Sequence, residues 1–223
     1  NNSQSAIHTL NWSADGKRVL SADSNVVLWD VDRRAPIWSW PPAGAGDGTL
    51  LTKKTFAALS ADGSLIAVAY DRTALVLNAA TQQECWRSED MYEQPIRGLQ
   101  WAARGEWPHQ SPTTQTPSGC GASANQLLLI WNAGGTLDAW DWQAGAVVMH
   151  VSERARGLSS FESVAVSPDG AHLLTAAQVY RFGAYGVVRR WRLWPQDPPA
   201  LLDEAERADH LTRPLSAAQL AAF

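Results

Sequence analysis

Cysteine is scarce in this chain, with 2 in 223 residues. Cys85 and Cys120 stand far apart, and neither has a second ligand at metal-binding spacing, which predicts free thiols and a cytoplasmic location. Long apolar runs are missing as well: none approaches the roughly 18 residues that a membrane-crossing helix needs. Charge of one sign is not in excess. The formal net charge is -4, with acidic and basic residues interspersed, so there is no electrostatic footprint for nucleic acid or an anionic membrane. The opening "NNSQSAI" has neither an initiator methionine nor an apolar signal segment, and the expectation is a non-native start produced by processing, a boundary or an incomplete chain.

The usual catalytic spacings are absent too. No Gly-x-Ser-x-Gly elbow, phosphate loop, His-Glu-x-x-His or Cys-x-x-Cys occurs. The histidines (His8, His109, His150, His172, His210) are scattered, with no pair at ligand spacing. No catalytic, cofactor-binding or metal residue is therefore assigned, and no cofactor is expected.

What is present is repetition. Four segments align: "IHTLNWSADGKRVLSA", "FAALSADGSLIAVA", "IRGLQWAARGEW" and "FESVAVSPDGAHLLTA". Each is an alternating apolar stretch, a Ser/Ala-x-x-Gly turn and a second apolar stretch. Alternation with period two predicts strands, and the glycines Gly16, Gly63, Gly105 and Gly170 predict hairpin turns. A third strand follows in each unit ("NVVLWDVD", "TALVLNAA", "GTLDAWDW", "GVVRRWRLW"), placing Trp29, Leu77, Trp140 and Trp191 at one equivalent position. Asp23 and Asp71 each lie six residues before it. An outer strand is readable as "APIWSW", "QECWRSE" and "AVVMHVS".

From about Ile7 to Trp194 these residues resemble the WD-repeat β-propeller family. The marks are "S-P-D-G" at Ser167 to Gly170, the pairs Trp29-Asp30 and Trp140-Asp141, and a recurrence near the family's period. The resemblance implies an all-β fold of about four four-stranded blades, at 6–40, 54–90, 95–152 and 160–196 within a propeller region 1–198. It implies Asp23, Trp29, Asp71, Leu77, Trp140 and Trp191 as structural repeat residues, with the two aspartates bonding turn amides. Departures are also visible. No Gly-His dipeptide precedes a first strand, so the His–Asp–Ser/Thr–Trp hydrogen-bond chain of a full repeat is not expected. Gly134 and Tyr185 stand where units three and four should have the turn aspartate, and His8 falls inside a strand as a structural residue.

Four blades are few for a family that most often closes with seven, and the last unit lacks an outer strand. The expectation is a larger or partner-completed ring. An apolar blade face should then be open at each end, with Ile7, Leu10, Val19 and Val27 on the first blade and Val164, Val166, Leu173 and Val188 on the last. Residues 199–223 switch to helical spacing, with a capping box at Ser216 to Gln219, and should form a short helical C-terminal tail docked beside the last blade. The stretch "ADHLTRPLSAAQLAAF" resembles the endings of WD-repeat regions in bacterial signal-transducing NTPases and caspase-like regulators.

The remaining polar features have ordinary readings. Glu84, Glu89, Asp90 and Glu93 read as a solvated face, and "GAGDG" at Gly44 to Gly48 as a flexible connection. The insertion Trp107 to Ser123 is either an inert or a functional mobile loop. Tyr180, Arg181, Phe182 and Tyr185 sit on a lengthened turn; aromatics and arginine there make them the partner-binding candidates, unless they only cover the blade edge. Two function classes follow. One is a non-catalytic protein-interaction scaffold or sensor module, the C-terminal part of a larger bacterial signalling or defence protein, partnered by a protein or by further blades. The other is a propeller hydrolase or lyase whose site is completed outside this chain, recognisable by acids, histidines or a metal converging on the channel.

Overall fold

A computed structural model describes residues 7–41, 54–88, 92–103, 120, 126–152, 158–167, 170–179 and 185–192. Among the described residues all regular structure is β, in four antiparallel sheets. The first contains β1 (Thr9–Trp12), β2 (Arg18–Ala22), β3 (Val26–Asp30) and β4 (Ala35–Trp40). The second contains β5 (Thr55–Leu59), β6 (Leu65–Tyr70), β7 (Thr73–Asn78) and β8 (Glu84–Arg87). The third contains β9 (Ile96–Ala103), β10 (Gln126–Asn132), β11 (Thr136–Asp141) and β12 (Ala146–Ser152). The fourth has three described strands, β13 (Leu158–Val166), β14 (His172–Val179) and β15 (Tyr185–Arg192). Strand order follows chain order in every sheet, so each is a meander.

Successive sheets stack face to face, because a four-stranded meander has two apolar faces and cannot bury both alone. Three clusters fill the gaps. Leu20, Leu28 and Trp38 of the first sheet meet Ile66, Val68 and Leu75 of the second. Leu65 and Val76 on the second sheet's other face meet Leu99, Leu128 and Trp140 of the third. Leu127, Leu129 and Trp131 meet Phe161, Val164 and Leu173 of the fourth. The innermost strands β1, β5, β9 and β13 neighbour one another in sequence order. These are stacked propeller blades, and the word blade is used for them below.

Two expectations need correction. Cys85 and Cys120 are not free thiols: they form a disulfide, with Cα atoms 5.6 Å apart. It joins the outer strand of the second blade to the segment between β9 and β10, and both residues are buried. Spacing along the chain could not reveal this, because the two residues meet only where adjacent blades stack. Among the last-blade residues expected at an open face, Leu173 and Val164 are instead buried against the third blade. The uncovered residues are Leu174 and Val188, at 38% and 47% exposure. The strands alternate with period two, and Val188 lies on the uncovered face as expected, whereas Val164, Val166 and Leu173 lie on the face packed against the third blade. The helical tail lies outside the described residues.

Candidate functional site

The first hairpin of three blades closes on the same device. Ser13, Ser60 and Ser167 each accept through Oγ the amide of the residue five positions on, from Arg18, Leu65 and His172, at 2.9 Å in every case. Their carbonyls take the amides of Gly16, Gly63 and Gly170 at 2.8–3.0 Å. Those glycines have φ of 68° to 69°, where a side chain is disfavoured. The Ser13 and Ser60 hydroxyls also donate to Asp15 and Asp62 at 2.6 Å. The Ser13 hydroxyl, followed by the Lys17 amide, holds the Asp15 carboxyl below its ordinary pKa.

The third-strand positions are equivalent in three dimensions. Cross-strand rows run Trp12–Val19–Trp29, Leu59–Ile66–Leu77, Trp101–Leu128–Trp140 and Val166–Leu173–Trp191, one in each blade. A β-bulge falls just before or at Trp29, Leu77 and Trp140 where their strands pair with the outer strand. The next residue caps the following turn: Asp30 accepts the Arg33 amide, Asn78 those of Ala80 and Thr81, and Asp141 that of Ala144. This gives the second member of each Trp-Asp pair a physical role, which an asparagine fills equally well in the second blade.

The full-repeat hydrogen-bond chain is not expected, but its Ser/Thr–Trp link is present in two blades. Trp29 donates to Ser21 Oγ and Trp191 to Thr175 Oγ1, both at 2.9 Å. Asp23 Oδ1 accepts the Asn25 amide at 2.6 Å. Asp71 has φ 51°, and the main-chain carbonyls of Asp23 and Asp71 accept the amides of Thr55 and Ile96 on the inner strands of the next blades. The turn thus serves as an inter-blade tether. In the third blade Asn132, two residues before Gly134, supplies a carboxamide oxygen in place of the missing aspartate's carboxylate, accepting the amides of Gly134 and Thr136 at 2.9 and 3.2 Å.

Trp140 has no hydroxyl partner on its own blade and joins a different chain of groups. Its Nε1 donates to Tyr92 Oη at 2.8 Å. The Tyr92 hydroxyl bonds the Asp138 carboxylate, and Asp138 Oδ1 lies 2.5 Å from His150 Nδ1. Burial foremost, then the negative charge of Asp138, raises the Tyr92 pKa far above the ordinary phenol value, so the hydroxyl stays protonated. Sequence reasoning missed these residues. The available signal was an aspartate in a strand position that is apolar in the first two units, with a histidine directly opposite: Asp138 pairs with His150 across β11 and β12.

A groove of about 520 Å³ crosses the inner strands β1, β5 and β9. It is lined by the amides Asn11, Gln100 and Gln126, by Trp12 and Trp101, and otherwise by Thr9, alanines and leucines. Such a lining offers hydrogen bonds and apolar contact rather than proton transfer. Among the acidic residues read as a solvated face, Glu84 pairs with Arg87, which also donates to Tyr70 Oη at 3.0 Å. That pairing holds the Arg87 pKa above its ordinary value. Tyr180, Arg181 and Phe182 lie outside the described residues; Tyr185 opens β15, but its side chain is not among those described.

Residues 1–30 match the sequence family described as WD domain, G-beta repeat. Two solved structures share the architecture. "Structure of U3-55K" aligns with a TM-score of 0.59 at 18% identity, over 85% of this chain and 50% of that one. "Crystal structure of RRP9 WD40 repeats" aligns with a TM-score of 0.58 at 17% identity, over 85% and 49%. A search of curated protein sequences finds no match. The chain spans about half the length of these solved structures, and identities this low speak to fold alone. With residues 1–30 matched to that family and cross-strand rows of the same kind recurring in all four sheets, this chain has the fold of stacked β-propeller blades seen in WD-repeat structures.

Proposed function

We propose that the chain is a non-catalytic protein-interaction scaffold or sensor module, the C-terminal part of a larger bacterial signalling or defence protein. The observation that carries the non-catalytic reading is the inner-strand groove, whose lining is amide, hydroxyl and apolar. A rigid stack of blades that displays variable turns suits recognition. The tail sequence at 208–223 supports the bacterial signalling context through its resemblance to the endings of such regulators. Tyr180, Arg181, Phe182 and Tyr185 are the partner-contacting residues of this reading, with the aromatic and arginine content of a binding hot spot. The Cys85–Cys120 disulfide removes the free-thiol argument for the cytoplasm and favours an oxidising compartment. Among the described residues no helix is long and apolar enough to cross a membrane.

The test uses a photo-crosslinking residue at 182 in the native polypeptide, followed by titration of the purified crosslinked protein. Replacing the four turn residues with serine should weaken that binding at least tenfold while leaving the melting curve in place. Retained affinity would remove the turn from the interface. Turnover of a small-molecule substrate by the native polypeptide, abolished by changes at the groove, would overturn the non-catalytic reading.

A further inference from the structure

The inner-strand groove lies beside the first hairpin turns, and a smaller pocket sits at the opposite end of the same strands. Its volume is about 290 Å³, and its walls are Lys54, Phe56, Asp71, Pro95, Ile96 and Arg97. Three segments from two blades meet there. Lys54 and Phe56 stand at the entry to β5, Asp71 in the turn between β6 and β7, and Pro95, Ile96 and Arg97 at the entry to β9. The main chain holds the last two together: the Asp71 carbonyl, at a residue with φ 51°, accepts the Ile96 amide at 2.6 Å. Ile96 is buried and Phe56 half-buried, whereas Lys54 and Arg97 are exposed. An apolar floor therefore carries its charged groups at the rim.

We propose that this pocket binds a small apolar carboxylic acid, its carboxylate held by Arg97 and Lys54 and its apolar body resting on Phe56, Pro95 and Ile96. Charge selects the head group. Two cations and one carboxylate leave the walls a single positive charge in excess, which a carboxylate neutralises. A phosphate monoester brings about −1.5 to −2 at neutral pH, and its surplus would face Asp71. Geometry agrees, because an arginine fork matches the planar carboxylate bidentately while a lysine adds a point charge. Size selects the body. About 290 Å³ is at the lower end of ligand clefts, roughly 300–1,000 Å³, so a single ring or branched chain fits and a long ligand does not. The inference stands apart from the scaffold reading, whose non-catalytic argument rests on the groove at the other end of the strands.

Ligand-observed NMR titration of the native polypeptide tests this with phenylpropionate, its uncharged amide phenylpropionamide, and phenyl phosphate. Phenylpropionate should bind saturably, the amide at least about tenfold more weakly, and phenyl phosphate no more tightly than the carboxylate. Arg97→Gln should weaken phenylpropionate about tenfold with the melting curve in place. Lys54→Gln, on the other blade, gives the same reading if Arg97→Gln melts early. Arg72→Gln removes an exposed cation beside Asp71 but outside the walls, and should change nothing. Asp71→Asn keeps a side chain that tolerates positive φ and should tighten phenyl phosphate relative to phenylpropionate. Four results would overturn the proposal: no saturable binding of phenylpropionate, equal binding of its amide, tighter binding of phenyl phosphate to the unsubstituted protein, or equal losses in Arg72→Gln and Arg97→Gln. Tighter binding of acetyl-Ala-Phe than of phenylpropionate would also overturn it, by assigning the pocket to a polypeptide C-terminus.

Discussion

A carboxylate can hold a turn, tether a blade or carry charge, and the side chains here separate those roles. Asp23 accepts a turn amide through its side chain and the next blade's amide through its carbonyl. Asp23→Ala removes the side-chain bonds and keeps the carbonyl tether, so it should cost about 1 kcal/mol in urea unfolding, with binding per folded molecule unchanged. Asp138 is more constrained, because both Tyr92 and His150 depend on it. Asp138→Ala leaves the proton of the buried Tyr92 hydroxyl without this acceptor and should cost about 1–3 kcal/mol by the same measurement. Tyr92 also has a pH signature. Its pKa is raised in the fold from 10.0, so the folded state keeps a proton that the unfolded chain releases. The resulting stability is intact below the unfolded value and is lost as pH rises above it. In an ultraviolet titration Tyr92 should ionise only together with unfolding, and Tyr92→Phe should remove that component.

At the scale of strands and turns, legibility followed the range of the interaction. The Ser-x-x-Gly hairpins are closed by bonds spanning three to five residues, so four letters of sequence announce them. Third-strand positions were legible because one cross-strand row recurs in every blade. Asn132 escaped notice because it supplies the required oxygen from two residues upstream of the expected place. Tyr92, Asp138 and His150 lie on three separate segments, so no spacing rule unites them. Gly98 was equally silent, although the packing of the third blade depends on it. A Cβ there would sit 2.1 Å from the Trp131 ring. Gly98→Ala should therefore destabilise by about 1–3 kcal/mol through overpacking, whereas Gly145, with open space around it but φ of 63°, should show only backbone strain when made alanine. Paired thermal melts of the two variants would distinguish crowding from strain.

For the whole molecule, stability is distributed between neighbours, since each blade buries its faces only against the next. The disulfide adds a covalent link across one such junction, between the outer strand of the second blade and the segment joining β9 to β10 in the third. Closing a loop with a sequence separation of 35 restricts the unfolded chain by about 4 kcal/mol in the loop-entropy picture. Reduction should lower the melting temperature and loosen the junction of blades two and three ahead of that of one and two, as followed by hydrogen exchange. Intact mass under non-reducing conditions should be two hydrogens below the reduced value. The bond also changes the connectivity of the polymer. Between Cys85 and Cys120 the molecule is a closed circuit, so one cut anywhere in that interval yields two fragments that still travel as one covalent body. A protease acting there would convert a single chain into a stapled two-chain protein, and only a reductant would let the halves part.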